Sequence, residues 1–152
     1  MKHFMNCFKN LAKERNELVM KHAHGRLLDI GCGKENYIEK HRPNSVGVDK
    51  DSDFCFDVNS FDTIAMVASF NYMTREEQNN YLVFARAMLK ECGKLIITCV
   101  TPFGSRLKAK DGEKERGIGR SELIDRVEKH GFTCLYVRPF NFHMNNLFVF
   151  IR

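Results

Sequence analysis

The chain of 152 residues lacks the sequence features of several protein classes. No apolar run approaches the roughly 18 residues of a membrane-spanning helix, and the first ten residues, MKHFMNCFKN, lack the apolar stretch of a secretory signal. The six cysteines never stand at C-x-x-C spacing, which disfavours a metal site and a disulfide framework and predicts buried free thiols. With 43% apolar and 28% charged residues, the chain is predicted to be one folded, cytoplasmic domain over residues 1–152.

An excess of positive charge is also absent from most of the chain. The net charge is +5, of which residues 1–26 carry +4 and residues 106–120 carry +3, whereas residues 27–105 carry −3. These basic segments either attract an anionic substrate, such as RNA, a nucleotide or a phosphorylated metabolite, or form solvated surface. No aromatic residue lies between the charges of 106–120, so a nucleic-acid stacking platform is not indicated.

Helix signals occur in four parts of the sequence. A stripe of apolar residues at helical spacing predicts a leading helix within residues 1–24, formed by Phe4, Phe8, Leu11, Leu18 and Val19. Residues 35–40 are a short helix candidate. A capping box formed by Thr74 and Glu77 opens a longer helix that Gly93 is predicted to end. Ser121 is predicted to cap a last helix that runs to His130, after a long polar loop that begins near residue 102.

Short apolar runs predict the strands. They cover residues 26–30, 45–49, 62–67 and 94–100, with a vestigial strand at 54–57 and a terminal hairpin at 132–139 and 146–152. The run at 94–100 is apolar throughout, as central parallel strands are. Strands that alternate with helices and end in a hairpin predict an α/β core over residues 25–152, with a mostly parallel sheet and one late strand reversed.

The carboxyl ends of parallel strands are where an open sheet binds its ligand. After the first strand, Gly31 and Gly33 allow the backbone to turn and to approach a ligand, with Cys32 between them. Asp29, at the end of that strand, is a candidate to receive an ammonium group. Asp49, which precedes Lys50, ends the second strand twenty residues after Asp29, where a carboxylate accepts both hydroxyls of a ribose.

Two further groups of residues follow later strands. Asp57 and the backbone N–H of Val58 are candidates to bind an adenine edge. Ser69 is a candidate at the rim of the cofactor site, after the strand at 62–67, and Asn71 and Tyr72 are candidates on the acceptor side. His143 is a third acceptor-side candidate, and none of these residues is identified as a catalytic base.

The identity of the ligand follows from which phosphate motifs are missing. Asn36 stands where the third glycine of a dinucleotide fingerprint would be, and no G-K-[ST] phosphate loop occurs in the sequence. An adenosine-type ligand without phosphates remains. S-adenosylmethionine fits, with its amino group at Asp29, its carboxylate at the turn amides and its ribose at Asp49.

At this point the sequence resembles the class I S-adenosylmethionine-dependent methyltransferases, and within them a small type-11-like member. The resemblance rests on segments that follow the family's order: 27–33 (LLDIGCG), 46–49 (VGVD), 59–64 (NSFDTI), 87–98 (AMLKECGKLIIT) and 121–132 (SELIDRVEKHGF). It implies a Rossmann-like sheet of seven strands with the last antiparallel, S-adenosylmethionine as cofactor, and methyl transfer to a small-molecule or nucleic-acid acceptor. The fold is expected to be shortened between strands two and four, because only eight residues separate Asp49 from Asp57.

Other functions stay open at this stage. A non-catalytic methyltransferase-like module that binds the cofactor or a partner is the main alternative. A nucleic-acid-binding domain that works through its basic flanks is a second one. A nicotinamide oxidoreductase is the least favoured, because of Asn36 and because the sequence shows no proton-relay constellation.

Overall fold

The fold is an α/β sheet with helices on both faces. A computed structural model describes residues 2–34, 36–49, 55–108 and 116–152. Within these residues six strands form one sheet in the order β2-β1-β3-β4-β6-β5. The strands are β1 (Leu27–Ile30), β2 (Val46–Val48), β3 (Phe61–Val67), β4 (Leu89–Val100), β5 (Thr133–Phe140) and β6 (Asn145–Ile151). Strands β1 to β4 pair with one another in parallel, and β6 is antiparallel to both β4 and β5.

Five helices and one short turn complete the described structure. The helices are α1 (Lys2–His22), α2 (Tyr37–His41), α3 (Arg75–Met88), α4 (Pro102–Lys108) and α5 (Arg120–Glu128), with a 3₁₀ turn at Phe70–Tyr72. None of these helices combines the length and the apolar character that crossing a bilayer requires. The side chains of Phe4, Phe8 and Leu11 lie outside the described part, whereas Leu18 and Val19 of the predicted stripe are buried.

Both faces of the sheet carry apolar side chains. Alternate residues of each strand point to opposite sides, and helices cover both sides. In β3, Ile64 and Met66 pack on one face and Ala65 on the other. The first face is covered by α3 and α5, and the second is covered by α1 and α2. Burial on both sides explains why the strand segments are nearly continuous apolar runs, and it confirms the predicted mostly parallel α/β sheet.

The number of strands differs from the seven that the resemblance implies. The described sheet has six strands, and residues 55–57 of the predicted vestigial strand are in no strand. Phe54 of that segment lies outside the described residues. The seven residues between Asp49 and Asp57 are too few for a crossover helix and another parallel strand, since such a connection needs a dozen or more residues.

Two predicted helix ends are wrong. Gly93 does not end α3, because the helix stops at Met88 and Leu89 already has extended backbone and begins β4. The pairing of β3 with β4 shifts its register at this point, and Cys92 has a positive φ of 60°. Ser121 does not cap α5, because the N-cap is Gly119, whose side-chain-free backbone leaves that helix end without a side-chain cap.

Other local predictions have mixed outcomes. The capping box is confirmed, since Thr74 Oγ1 accepts from the Glu77 N–H at 3.2 Å and Glu77 Oε2 accepts from the Thr74 N–H at 2.6 Å. The polar loop after β4 instead opens with α4. The five cysteines whose side chains the structure describes are free thiols. Of these, Cys99 is buried, as predicted, whereas Cys55 and Cys92 are exposed.

Candidate functional site

The carboxyl edge of the sheet holds the candidate site. The chain leaves β1 toward β2 on one side, and β3 pairs with β1 on the other, so the strand order reverses between β1 and β3. Ligands of open α/β sheets bind in the crevice at such a point. A cavity of about 380 Å³ lies there and is lined by Ile30, Gly31, Asp49, Ala68, Ser69, Tyr72, Met73, Glu77 and Tyr81. We call it the cofactor cavity.

A larger hollow, of about 760 Å³, lies at the opposite edge of the sheet. It is lined by Gly25 and Arg26, which precede β1, and by residues 42–46, which lead into β2 and include its first residue. Because the amino edge of a parallel sheet is not where such folds bind ligands, the smaller cavity is the better candidate. Its volume falls within the range of about 300 to 1,000 Å³ that small-molecule pockets occupy.

The glycine turn after β1 packs directly against the end of β3. Gly31 has a φ of +80°, and a Cβ at this position would lie 2.5 Å from the Cβ of Ser69. Ser69 Oγ donates to the Ile30 carbonyl at 2.9 Å. A side chain at residue 31 would therefore push the two walls of the cavity apart, which is why the turn needs glycine.

The amides of this turn are partly engaged by the protein itself. The Gly31 N–H donates to the Val48 carbonyl at 2.8 Å, and the Cys32 N–H donates to the same carbonyl at 3.2 Å. A Cβ built on Gly33, which has a φ of +63°, would meet no atom within 4 Å, so this residue faces open space. The turn amides predicted to bind a carboxylate are thus committed to β2 at Gly31 and Cys32.

Asp29 lies under the turn in a nearly closed environment. Its side chain is 4% exposed, and its Oδ1 has no hydrogen-bond partner among the described residues. Burial raises the pKa of Asp29 from 3.8 to about 7, and the positive charge of Arg15 opposes this rise. Asp29 is not among the described residues that line the cofactor cavity.

Arg15 of α1 was not anticipated from the sequence. Burial lowers the pKa of this guanidinium, and the negative charge of Asp29 acts in the opposite direction. Its Nε donates to Asn16 Oδ1 at 3.4 Å, and Asn16 is itself buried. Arg15 is one of several charged residues on the leading helix, so the sequence does not single it out, and its interaction with Asp29 joins residues far apart along the chain.

Asp49 and Ser69 reach the same cavity from different strands. Asp49 follows Val48 at the end of β2. Burial is the largest cause that raises the pKa of both Cys32 and Tyr81, and the negative charge of Asp49 raises each pKa further. Tyr81, on α3, also lines the cavity. Gly31, Asp49 and Ser69 are therefore brought together.

The remaining candidate residues lie elsewhere. Asp57 and Val58 are exposed and are not among the residues that line the cofactor cavity, and Val58 is 64% exposed. The segment after them is tied to α3, because the Asn59 N–H donates to the Ala87 carbonyl at 3.0 Å. Lys50 lies outside the described residues.

The wall opposite the glycine turn is held in a strained conformation. Ala68 has a positive φ of 54°, and its N–H donates to the carbonyl and the hydroxyl of Thr98 at 3.2 and 2.9 Å. A non-glycine residue keeps such a backbone only where its surroundings enforce it, and such strain is common at binding sites. The two bonds to β4 fix the direction in which the chain enters the 3₁₀ turn.

The acceptor-side candidates are separated by the fold. Tyr72 is 64% exposed and lines the cofactor cavity, whereas Asn71 beside it is buried. His143 is exposed in the tip of the hairpin between β5 and β6, with a φ of 62°. The tip lies at the carboxyl edge, because Asn145 pairs with Val100 at the end of β4, but it does not line the cofactor cavity.

Comparison with known proteins identifies the fold. No protein-family model and no curated protein matches the sequence. A solved SAM-dependent methyltransferase from Archaeoglobus fulgidus is similar over 95% of this chain and 94% of its own, with 13% identity and a TM-score of 0.77.

Two further solved structures show the same fold. A possible histamine N-methyltransferase from Thermotoga maritima is similar over 98% of this chain and 96% of its own, with 16% identity and a TM-score of 0.67. The 1,6-didemethyltoxoflavin-N1-methyltransferase of Burkholderia thailandensis, solved with S-adenosylhomocysteine, is similar over 93% of this chain and 77% of its own, with 12% identity and a TM-score of 0.65. The chain therefore has the fold of the class I methyltransferases that its sequence resembles.

Proposed function

We propose that this chain is an S-adenosylmethionine-dependent methyltransferase that acts on a small-molecule acceptor. The observation that carries the proposal is the meeting of Gly31, Asp49 and Ser69 around one cavity at the carboxyl ends of β1, β2 and β3. These residues come from three separate segments, and a ligand site is the simplest reason for their convergence at the point where strand order reverses. The fold shared with solved methyltransferases adds to this support.

The donor and acceptor groups fit the chemistry of this cofactor. Asp49 at the cavity wall would accept the two ribose hydroxyls, and its negative charge selects a ribose without phosphate. The Oδ1 of Asp29, which has no hydrogen-bond partner in the part of the chain that the structure describes, would accept from the ammonium of the methionine end. Arg15 would bind the carboxylate of the methionine end through its positive charge. The backbone N–H groups of Gly31 and Cys32 cannot bind that carboxylate while they donate to the Val48 carbonyl.

The other walls would enclose the nucleoside. Tyr81 offers an aromatic ring and Met73 an apolar side chain, and adenine is the apolar part of the ligand. Cys32, Gly33 and Ser69 would complete the contacts near the turn. The exposure of Asp57 and Val58 leaves them outside the enclosed part of the site, so the proposal does not depend on them.

The mechanism would require alignment more than proton transfer. When bound, the cofactor supplies a methyl group made electrophilic by its sulfonium. The protein would hold the ribose through Asp49, fix the methionine end between Asp29 and Arg15, and place the acceptor against Tyr72, which lines the cavity and remains exposed. Holding two reactants in line removes much of the barrier, so no catalytic base is assigned.

One set of observations favours a non-catalytic module instead. The amides of Gly31 and Cys32 are occupied, and the buried Asp29 has a pKa of about 7, so a protonated carboxyl at lower pH would bind an ammonium poorly. Such a module would bind a partner or the cofactor without turnover. Release of labelled methyl groups from S-adenosylmethionine in the presence of metabolite extracts discriminates the two functions.

Calorimetric titration of S-adenosylmethionine and S-adenosylhomocysteine tests the proposal. Both are expected to bind the wild-type protein, and NAD is expected not to bind. Asp49→Ala is expected to weaken S-adenosylhomocysteine binding at least tenfold, about 1.4 kcal/mol. Asp125→Ala, which removes an exposed carboxylate from α5, is the matched control and is expected to change the affinity by less than about twofold. An unchanged affinity in Asp49→Ala would refute the ribose assignment.

A further inference from the structure

A second cavity adjoins the cofactor cavity. It has a volume of about 240 Å³ and lies between the 3₁₀ turn, the first turn of α3 and the first turn of α5. Tyr72 and Met73 line both cavities, so the two share a wall. Since a water molecule occupies about 30 Å³ of the liquid, the space equals about eight waters, enough for part of a small molecule. We call it the arginine cavity.

Three guanidinium groups in this cavity share one carboxylate. The Nη2 atoms of Arg126 and Arg75 lie 2.7 and 2.9 Å from Glu122 Oε1, and Arg116 Nη2 lies 3.7 Å from the same oxygen. Among the described residues that line the cavity, Glu122 is the one acidic side chain. Three positive charges against one negative charge leave an excess of two positive charges beside the space.

Arg126 is held in the wall with part of its bonding capacity unused. Its side chain is 8% exposed, its Nη1 donates to Gln78 Oε1, and its Nη2 donates to Glu122. Its Nε is buried without a hydrogen-bond partner among the described residues. Burial lowers the pKa of Arg126, and the positive charge of Arg75 lowers it further. A second anion beside these groups would relieve the repulsion between them.

Gln78 links Arg126 to the 3₁₀ turn through hydrogen bonds. Gln78 is buried, and its Nε2 donates to the Phe70 carbonyl at 2.8 Å, which ties the side chain to the 3₁₀ turn. The N-terminus of α5 opens on the same side, because Ile118 and Glu122 line the cavity and Gly119 provides no side-chain cap. The positive end of the helix dipole therefore adds to the charge of the arginines.

We propose that the arginine cavity binds an anionic group, a carboxylate or a phosphate, of the small-molecule methyl acceptor. The anion would be held by Arg75, Arg116 and Arg126, and the rest of the acceptor would pass Tyr72 and Met73 to reach the cofactor cavity. This inference rests on the proposed function, since it names the chemical class of that enzyme's acceptor. Arginine suits the role because its planar donors match the oxygens of both groups.

The test uses three probes on the full chain saturated with S-adenosylhomocysteine. Benzoate and phenyl phosphate carry the two candidate anions on the same ring, and benzamide is the neutral match for benzoate. Calorimetry is expected to detect binding of benzoate, of phenyl phosphate or of both, and no binding of benzamide. The anion that binds more tightly shows whether the acceptor's anionic group is a carboxylate or a phosphate.

Variants locate the binding. Arg75→Gln and Arg116→Gln are each expected to weaken anion binding by about fivefold or more. Arg138→Gln removes the same charge from an exposed position on β5 and is expected to change it by less than about twofold. The Arg116 side chain is 65% exposed, so its variant keeps the test valid if Arg75→Gln does not fold.

The outcomes separate this inference from the proposed function. If S-adenosylhomocysteine binds but neither anion does, or if both arginine variants bind the anion as the wild type does, the inference is overturned and the proposed function stands. If S-adenosylhomocysteine does not bind the wild-type protein, the proposed function fails, and the inference that rests on it fails with it.

Discussion

The buried carboxyl group of Asp29 is predicted to make the stability of the protein depend on pH. Its pKa is 3.8 in the unfolded reference and about 7 in the folded chain, because burial disfavours the charged form. Between these two values the native state binds more protons than the unfolded state. The free energy of unfolding therefore falls as the pH rises through this window. A rise of about three pKa units corresponds to about 4 kcal/mol lost between pH 4 and pH 7.

Asp29→Asn removes this cost, since the amide has nearly the same shape and stays neutral at every pH. The variant and the wild type are expected to be similar near pH 4.5, and the variant is expected to be more stable by about 4 kcal/mol at pH 8. Urea unfolding of both proteins across this range measures the difference, in which the contributions of all other titrating groups cancel. Asp125→Asn, at an exposed position, is the control and is expected to show no such trend.

A pH-independent difference between Asp29→Asn and the wild type would refute the reasoning. It would mean that Asp29 ionises in the folded chain as it does in water, and hence that Arg15 or solvent compensates its burial. The proposed ammonium site would then be more open than the structure indicates. A loss of stability in the variant at pH 8 would contradict the account still more strongly.

Two further predictions concern backbone conformation and helix capping, and urea unfolding measures both. Gly31→Ala is expected to lower the free energy of unfolding by about 3 kcal/mol, because it adds a clash with Ser69 to the strain of a positive φ. Gly33→Ala is expected to lower it by about 1 kcal/mol, from the strain alone. Thr74→Ala is expected to lose about 1 kcal/mol with its capping box, and Ser121→Ala less than about 0.5 kcal/mol. Equal losses within either pair would contradict the structural assignments.

The sheet could be predicted from the sequence because its information is local. Each apolar run is bounded by polar or turn residues, and burial on both faces requires such runs, so β1, β2, β3 and β6 lie close to their predicted positions. The convergence of Gly31 and Asp49 also followed, since both stand directly after parallel strands. Element order together with the rule for ligand position was sufficient for that part of the site.

What could not be predicted depends on contacts between distant residues. Arg15 acts on Asp29 only because α1 folds over the sheet, and Arg75 meets Glu122 only because α5 packs beside α3. The early end of α3 has the same origin, because strand pairing with Phe61 draws Leu89 into β4 before Gly93 is reached. Neither hydrophobic periodicity nor the position of a single glycine predicts these long-range contacts.

A crystal structure of the chain with S-adenosylhomocysteine tests the central claim most directly. The account predicts that the nucleoside occupies the 380 Å³ cavity, with both ribose hydroxyls within hydrogen-bond distance of the Asp49 carboxylate. Density for the nucleoside at the opposite edge of the sheet, or an Asp49 side chain turned into solvent while the ligand is bound, would contradict it.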